Sequence, residues 1–156
     1  MPGIDRETID DFLSQKRLAL VGVSRNPKDF SRGVFRDLIN KGYDVVPVNP
    51  NTAEIEGQAS FPRLQEVEPA VDGAIIMTPA AAATTVVRDC AEAGIGRVWM
   101  QSPGGLGPAQ KEAVDFCRDN GIQVVPGACI YMFLPETAFF HKIHALFLKL
   151  FGKYPQ

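Results

Sequence analysis

The stretch that decides the fold reads Leu18-Ala-Leu-Val-Gly-Val-Ser-Arg-Asn-Pro-Lys-Asp-Phe-Ser-Arg-Gly33. Its beginning is almost wholly apolar, as is typical of a strand covered on both faces of a parallel sheet. Behind Ser31, a residue favoured at helix N-caps, apolar residues recur at helical spacing from Val34 to Ile39, and Gly42 follows. The stretch therefore predicts a buried strand that runs through a turn into a helix capped by Ser31.

The turn between this strand and helix carries an altered form of the glycine pattern that binds dinucleotides. That pattern needs glycines for a tight bend, for close approach to the pyrophosphate and for packing of the helix. Only Gly22 is in place, because Ser24 and Pro27 occupy the second and third positions. We predict a nucleotide-binding loop that is longer and more rigid than the loop of a nicotinamide-binding domain.

The same loop is cationic. Three cations, Arg25, Lys28 and Arg32, against one acid, Asp29, give residues 24–32 a net charge of +2. The N-terminus of the following helix also favours anions. We therefore expect a ligand that carries more phosphate than NAD.

The rest of the chain repeats the alternation of strand and helix. It predicts an α/β fold, a Rossmann-like doubly wound parallel sheet of five strands in three layers, with an extra C-terminal helix. Ligands of such sheets bind beyond the carboxyl ends of the strands, which form one rim. The predicted strands after the first are 44–48, 73–77, 97–100 and 123–126, and the other predicted helices are 5–16, 80–93 and 108–120.

Length and composition favour one cytoplasmic domain over residues 1–156, with an N-terminal helix (1–16), a core (17–129) and a C-terminal apolar helix (130–156). A net charge of −2 argues against nucleic-acid binding, which needs a basic surface. Three scattered cysteines fit a reducing compartment. The N-terminus shows no basic region followed by an apolar core, so we do not expect secretion.

Several motifs in order along the chain resemble one family. They are Arg25-Asn-Pro-Lys28 with Ser31, then Gly42-Tyr-Asp-Val-Val-Pro-Val-Asn-Pro50, Glu54-Ile-Glu-Gly57, Val71-Asp72 and Val98-Trp-Met-Gln101. Together they resemble the stand-alone CoA-binding domain proteins, a family similar to the N-terminal domain of the succinyl-CoA synthetase α subunit. The resemblance extends over about residues 17–129.

The resemblance implies that coenzyme A is the ligand. In that family the loop after the first strand holds the CoA phosphates, the second strand end lies along the adenosine, and the third and fourth strand ends border the pantetheine. Cys129 lies on the same rim, where the CoA thiol would approach. The expected binding residues are Gly22, Val23, Ser24, Arg25, Lys28, Ser31, Arg32, Val48, Asn49, Pro50, Thr78, Pro79, Met100, Gln101 and Cys129.

The end of the second strand supports CoA independently of the resemblance. A nicotinamide-binding domain places an Asp or Glu there to hold the ribose hydroxyls. Here the strand ends in Val48-Asn49-Pro50. An acid at this point would repel the 3′-phosphate of CoA, which the cationic loop would attract.

Three function classes remain open. The leading hypothesis is a small protein that binds CoA or an acyl-CoA and acts as a binding module or regulator, rather than a complete enzyme. The second is the CoA-binding subunit of an acyl-CoA synthetase that other chains complete, because a synthetase of the succinyl-CoA type also needs a domain with a phosphorylatable histidine and a nucleotide-binding β subunit. The third is an NAD(P)-dependent oxidoreductase or redox sensor, against which the missing glycines and acid count.

The C-terminal residues carry an apolar stripe from Phe139 to Phe151, which fits core packing or a homodimer interface better than a membrane surface. His141 and His144 share a helix face, but no third ligand accompanies them, so we expect no metal site. Cys90 and Cys117 fall within predicted helices and are assigned to the core. For Cys129, a small buried side chain and a rim position near the thiol of CoA both remain open.

Overall fold

A five-stranded parallel sheet forms the centre of the computed structural model, which describes residues 5–102 and 104–134. Its strand order is β2-β1-β5-β6-β7, and a short antiparallel hairpin, β3–β4, lies beside it. The predicted Rossmann-like architecture is confirmed. The elements are α1 (Arg6–Leu13), β1 (Arg17–Val21), α2 (Phe30–Asn40), β2 (Asp44–Val48), β3 (Glu54–Ile55), β4 (Gln58–Ala59), β5 (Gly73–Ile76), α3 (Ala83–Glu92), β6 (Arg97–Met100), α4 (Pro108–Asp119) and β7 (Gln123–Pro126).

Strand β1 shows why both faces of the sheet are covered. Successive side chains of a strand point to opposite faces. Leu18 and Leu20 pack in the cluster that contains the buried faces of α1 and α2, whereas Ala19 and Val21 pack with α3 and α4. A strand without a polar face is stable only between two layers of helices.

The strand order brings three strand ends level with one another. Val21 of β1 lies opposite Val48 of β2 and also opposite Ile76 of β5. The chain leaves β1 toward one edge of the sheet and returns to build β5 on the other side of β1. A crevice opens at such a change of direction, and ligands of open α/β sheets bind there.

Several element boundaries differ from the sequence prediction. Helix α2 begins at Phe30 with Asp29 as its N-cap, so the prediction of Ser31 as the cap was wrong. Helix α1 covers 6–13 rather than 5–16, and a 3₁₀ turn over 80–82 precedes α3. The hairpin β3–β4 was not predicted, because strands of two residues are too short to show a hydrophobic period.

The first residues of the predicted C-terminal segment form a buried 3₁₀ turn, Ile130–Met132. The apolar stripe 139–151, with His141 and His144, lies outside the described residues. Within the described part of the chain, no helix is long and apolar enough to cross a membrane.

Candidate functional site

A cavity of about 520 Å³ opens at the carboxyl ends of β1, β2 and β5, which is the crevice that the strand order creates. The start of α3 and the segment before the 3₁₀ turn Leu64–Glu66 close its other side. Its size is within the range of pockets that hold small molecules and cofactors. The lining residues are Val21, Gly22, Val23, Ser24, Val48, Asn49, Pro50, Asn51, Pro62, Arg63, Leu64, Thr78, Pro79, Ala82, Thr85, Val86 and Asp89.

Gly22 brings the loop after β1 into contact with the end of β5. Its φ is 96°, and a Cβ at this position would lie 2.8 Å from the carbonyl carbon of Met77. Its N–H donates to the carbonyl of Val48 at 3.1 Å. Only glycine accommodates both the backbone conformation and the contact, so Gly22 fixes the three strand ends around the cavity.

An acidic side chain, Asp29, caps the N-terminus of α2. The carboxylate of Asp29 accepts the Ser31 hydroxyl at 2.6 Å and the Ser31 N–H at 2.9 Å, and the Ser31 hydroxyl oxygen accepts the Ser24 N–H at 2.8 Å. The hydrogen bonds from the Ser31 side chain and backbone lower the pKa of Asp29. Asp29 therefore accepts one of the N–H groups at the N-terminus of α2, where the sequence suggested that a phosphate binds. Ser31 orders the loop by accepting the Ser24 N–H.

The three cations of the loop have different surroundings. Arg32 is only 8% exposed, and its Nε donates to Glu56 at 2.8 Å. Arg25 and Lys28 are exposed, and neither makes an ion pair within the described part of the chain. Two cations therefore remain for a ligand, and the third supports the loop from within.

Asn49 connects the end of β2 to the loop after β1. Its side-chain Nδ2 donates to the carbonyl of Val23 at 2.7 Å, and its Oδ1 accepts the Asn51 N–H at 2.7 Å. Both ends of the Asn49 side-chain amide are thus hydrogen-bonded to backbone groups. Asn49 lies at the end of β2, where a nicotinamide-binding domain would place an acid.

The far wall of the cavity contains residues that sequence reasoning missed. Asp89 accepts hydrogen bonds from Arg63 at 2.9 Å and Gln65 at 2.8 Å. Val86 and Asp89 of α3 recur at helical spacing with Ala82, which directly precedes the helix, so a search along this face would have indicated them. No sequence pattern indicated Arg63, because it comes from a loop that approaches α3 only in the folded chain.

The Thr78 hydroxyl is an unused polar group of this cavity. Its Oγ1 is buried and has no hydrogen-bond partner within the residues that the structure describes. Such atoms are rare in folded proteins, and a bound ligand commonly supplies the missing partner. Thr78 was predicted as a site residue from its place after β5.

Seven predicted site residues do not line the cavity: Arg25, Lys28, Ser31 and Arg32 in and after the loop, and Met100, Gln101 and Cys129 at the ends of β6 and β7. Met100 is buried in the core with 1% exposure. Gln101 donates from Nε2 to Cys129 Sγ at 3.3 Å and accepts the Ile130 N–H at 3.0 Å. The ends of β6 and β7 are therefore bridged by Gln101, while Cys129 remains partly exposed.

The chain belongs to the CoA binding domain family, whose model matches residues 16–135. It is 27% identical over 130 residues to the alpha subunit of acetate–CoA ligase (ADP-forming) II from Pyrococcus furiosus, an alignment that covers 78% of this chain and 28% of the subunit. The chain thus spans less than a third of that relative. The resemblance recognised from the motifs is confirmed.

Shorter relatives match over most of their length. The uncharacterized protein YneT of Bacillus subtilis is 27% identical over 115 residues, which cover 74% of this chain and 82% of YneT. The solved structure of a conserved hypothetical protein from Pyrococcus furiosus is 32% identical with a TM-score of 0.66, and the match covers 74% of this chain and 96% of that one. A hypothetical protein from Pyrococcus horikoshii OT3 shares the fold with a TM-score of 0.75 at 24% identity, over 92% and 94% of the two chains.

Proposed function

We propose that this protein binds coenzyme A or an acyl-CoA as a cytoplasmic binding module, with residues 1–156 forming one domain. The adenosine end occupies the cavity beside Val48, Asn49 and Pro50. Arg25 and Lys28 face the phosphates, and the pantetheine leaves along Thr78 and Pro79 toward Cys129. The family supports the ligand, and the cavity supports this division of the site.

The observation that carries the proposal is the junction between the cavity and the loop. Ser24 lines the cavity, and the next residues of the loop include Arg25 and Lys28, two exposed cations that make no ion pair with any residue the structure describes. CoA joins a flat, weakly polar base to three phosphates, so it needs an enclosed pocket and a cationic surface side by side. Charge-assisted hydrogen bonds to phosphate are stronger than neutral ones.

Calorimetric titration with CoA, dephospho-CoA, NAD and NADP tests the proposal. We expect CoA to bind most tightly and dephospho-CoA to bind about tenfold more weakly, because one charge-assisted bond contributes about 1.5–3 kcal/mol before solvent exposure reduces it. Equal affinities for CoA and dephospho-CoA would refute the role of the loop in binding the 3′-phosphate. Tighter binding of NAD than of CoA would favour an oxidoreductase.

The similarity to an acetate–CoA ligase subunit favours a second candidate, in which this chain supplies the CoA site of an acyl-CoA synthetase completed by other chains. Copurification from the native organism, followed by an assay of CoA-thioester formation, separates the two. Thioester synthesis that requires both this chain and a partner would establish the synthetase. A protein that binds CoA and copurifies with no such activity would remain a binding module.

A further inference from the structure

The turn of the β3–β4 hairpin holds a glutamate in an unfavourable backbone conformation. Glu56 has a φ of 46°, and within the described residues it alone combines a positive φ with a side chain; Gly57 follows with a φ of 81°. Non-glycine residues rarely adopt this backbone conformation, and they persist in it where surrounding contacts fix them. The contacts of the Glu56 side chain must therefore hold the turn in this conformation.

Both carboxylate oxygens of Glu56 are bonded to arginines of α2. Oε2 accepts Arg32 Nε at 2.8 Å and Arg36 Nε at 2.9 Å, and Oε1 accepts Arg36 Nε at 3.1 Å. Burial opposes ionisation, yet the hydrogen bonds and charges of the two arginines hold the pKa of Glu56 below its ordinary value. One carboxylate thus fixes two cations that lie one helical turn apart.

The two arginines in turn hold the loop after β1. Arg32 Nη1 donates to the carbonyls of Ser24 at 3.3 Å and Arg25 at 3.1 Å, and Arg36 Nη2 donates to the carbonyl of Pro27 at 2.8 Å. Peptide groups are planar, so a carbonyl that is fixed on one side also fixes the direction of the next N–H. The backbone that presents Arg25 and Lys28 is therefore set by Arg32 and Arg36.

We propose that Glu56 is a positioning residue for phosphate recognition: by fixing Arg32 and Arg36 against the loop carbonyls, it orders the loop before the ligand arrives. The inference rests on the proposed function, because it assigns the loop to the phosphates of CoA. Without the carboxylate, two like charges face each other on α2 and their long side chains regain rotational freedom. The ligand would then have to order them on binding, which lowers affinity.

The test compares Glu56→Gln with Glu54→Gln, a control in the same hairpin. Glu54 is exposed and makes no ion pair within the described part of the chain. Affinities are measured for CoA, adenosine 3′,5′-bisphosphate and adenosine, the last by ligand-observed NMR. We expect Glu56→Gln to lower the affinity for both phosphate ligands about five- to tenfold, because the ligand must then order two arginine side chains on binding. The affinity for adenosine should change less than twofold.

Glu56→Gly separates the carboxylate from the backbone conformation, because glycine adopts a positive φ without strain. It should lose phosphate affinity as Glu56→Gln does, although it places no side chain in the strained backbone conformation. Equal losses for adenosine and the phosphate ligands would show general loosening of the fold and overturn the inference. Unchanged phosphate affinity in both Glu56 variants would overturn it as well.

Amide hydrogen exchange in the ligand-free protein distinguishes this inference from the proposed function. The Ser24, Asn26 and Lys28 amides donate to side chains of the loop, and we expect them to exchange faster in Glu56→Gln than in Glu54→Gln. Absence of CoA binding by the unaltered protein would refute the proposed function, even if these amides respond. Binding of CoA with no difference in exchange between the two variants would refute only the positioning role.

Discussion

Two parts of the same rim differ in whether they leave room for a ligand. At β1 and β5 the chain changes its direction of travel across the sheet, and the cavity opens there. At β6 and β7 the strands follow in order, and Gln101 fills the gap by bonding to Cys129 and Ile130. A place at the carboxyl end of a strand is therefore not enough to form a site. The connections that leave two neighbouring strands must also run in opposite directions across the sheet.

The largest expected effect comes from Gly22→Ala, which forces the two sides of the crevice apart. A Cβ would lie 2.8 Å from the Met77 backbone at a φ of 96°, and strain and overpacking together destabilise by about 3 kcal/mol or more. Gly42→Ala is the matched control, because its φ is 95° and nothing lies within 4 Å of the added Cβ. Thermal unfolding should show a much larger loss for Gly22→Ala, and equal losses would contradict the close approach.

The strands of the sheet and the strand ends that line the cavity could be predicted from the sequence. The apolar runs predicted all five sheet strands, because burial on both faces leaves no polar residue in them after their first positions. The rim of strand ends around Gly22, Asn49 and Thr78 followed from the rule that ligands bind at the carboxyl ends of parallel strands, whereas the order of the strands was not predicted. These residues do line the cavity.

What the sequence could not predict is which partner each charged side chain would choose. Arg32 pairs with Glu56 across 24 positions of the chain, and Arg63 pairs with Asp89 across 26. Nothing in local spacing separates Arg32 from Arg25, although only Arg32 is buried. Pairing over such separations is decided by the packing of the hairpin and of α3, which no local pattern encodes.

Arg32→Met tests the buried member of the cationic loop. Removal of the Arg32 guanidinium leaves the Ser24 and Arg25 carbonyls without their hydrogen-bond donor. We therefore expect about 2 kcal/mol of destabilisation and a fall in Tm of about 4–8 °C. Differential scanning calorimetry measures the shift. A Tm equal to that of the unaltered protein would show that Arg32 is free to serve the ligand instead.

Arg25→Met combined with Lys28→Met tests the exposed members. Because both side chains are exposed and without ion pairs in the described part of the chain, stability should change by less than about 0.5 kcal/mol. CoA affinity should fall about tenfold at low salt, and the difference from the unaltered protein should shrink as salt screens the charges. Unchanged affinity at low salt would remove these cations from the site.

The carboxylates of Asp29, before α2, and of Glu56, in the hairpin turn, predict that the stability of the protein falls in acid. The pKa values of Asp29 and Glu56 are lowered from ordinary values of 3.8 and 4.5, so folding favours their ionised forms. Their contribution is present above those ordinary values and is lost as the pH falls through the lowered values. Asp29→Asn keeps a good N-cap and should flatten the fall in Tm below about pH 4, whereas an unchanged pH profile would show that Asp29 contributes nothing.

The smallest expected effect is on the closed side of the rim, at Cys129. Burial raises the pKa of Cys90 and raises that of Cys117 to about 12, so both thiols are inert. Both are fully buried, which confirms their assignment to the core, whereas Cys129 is partly exposed and its Sγ accepts a hydrogen bond from Gln101.

Because Cys129 is partly exposed, its sulfur can attack a disulfide and release one thiol. Incubation with CoA disulfide should therefore join one CoA to Cys129 and free one CoA thiol, and reductant should reverse the reaction. Intact-protein mass spectrometry should show this adduct in Cys90→Ser and Cys117→Ser but not in Cys129→Ser. Because Gln101 holds Cys129 outside the cavity lining, we expect slow labelling that Gln101→Leu alters. Absence of an adduct, or labelling shared by all three cysteines, would leave Cys129 a packing residue and confine the site to the crevice at β1 and β5.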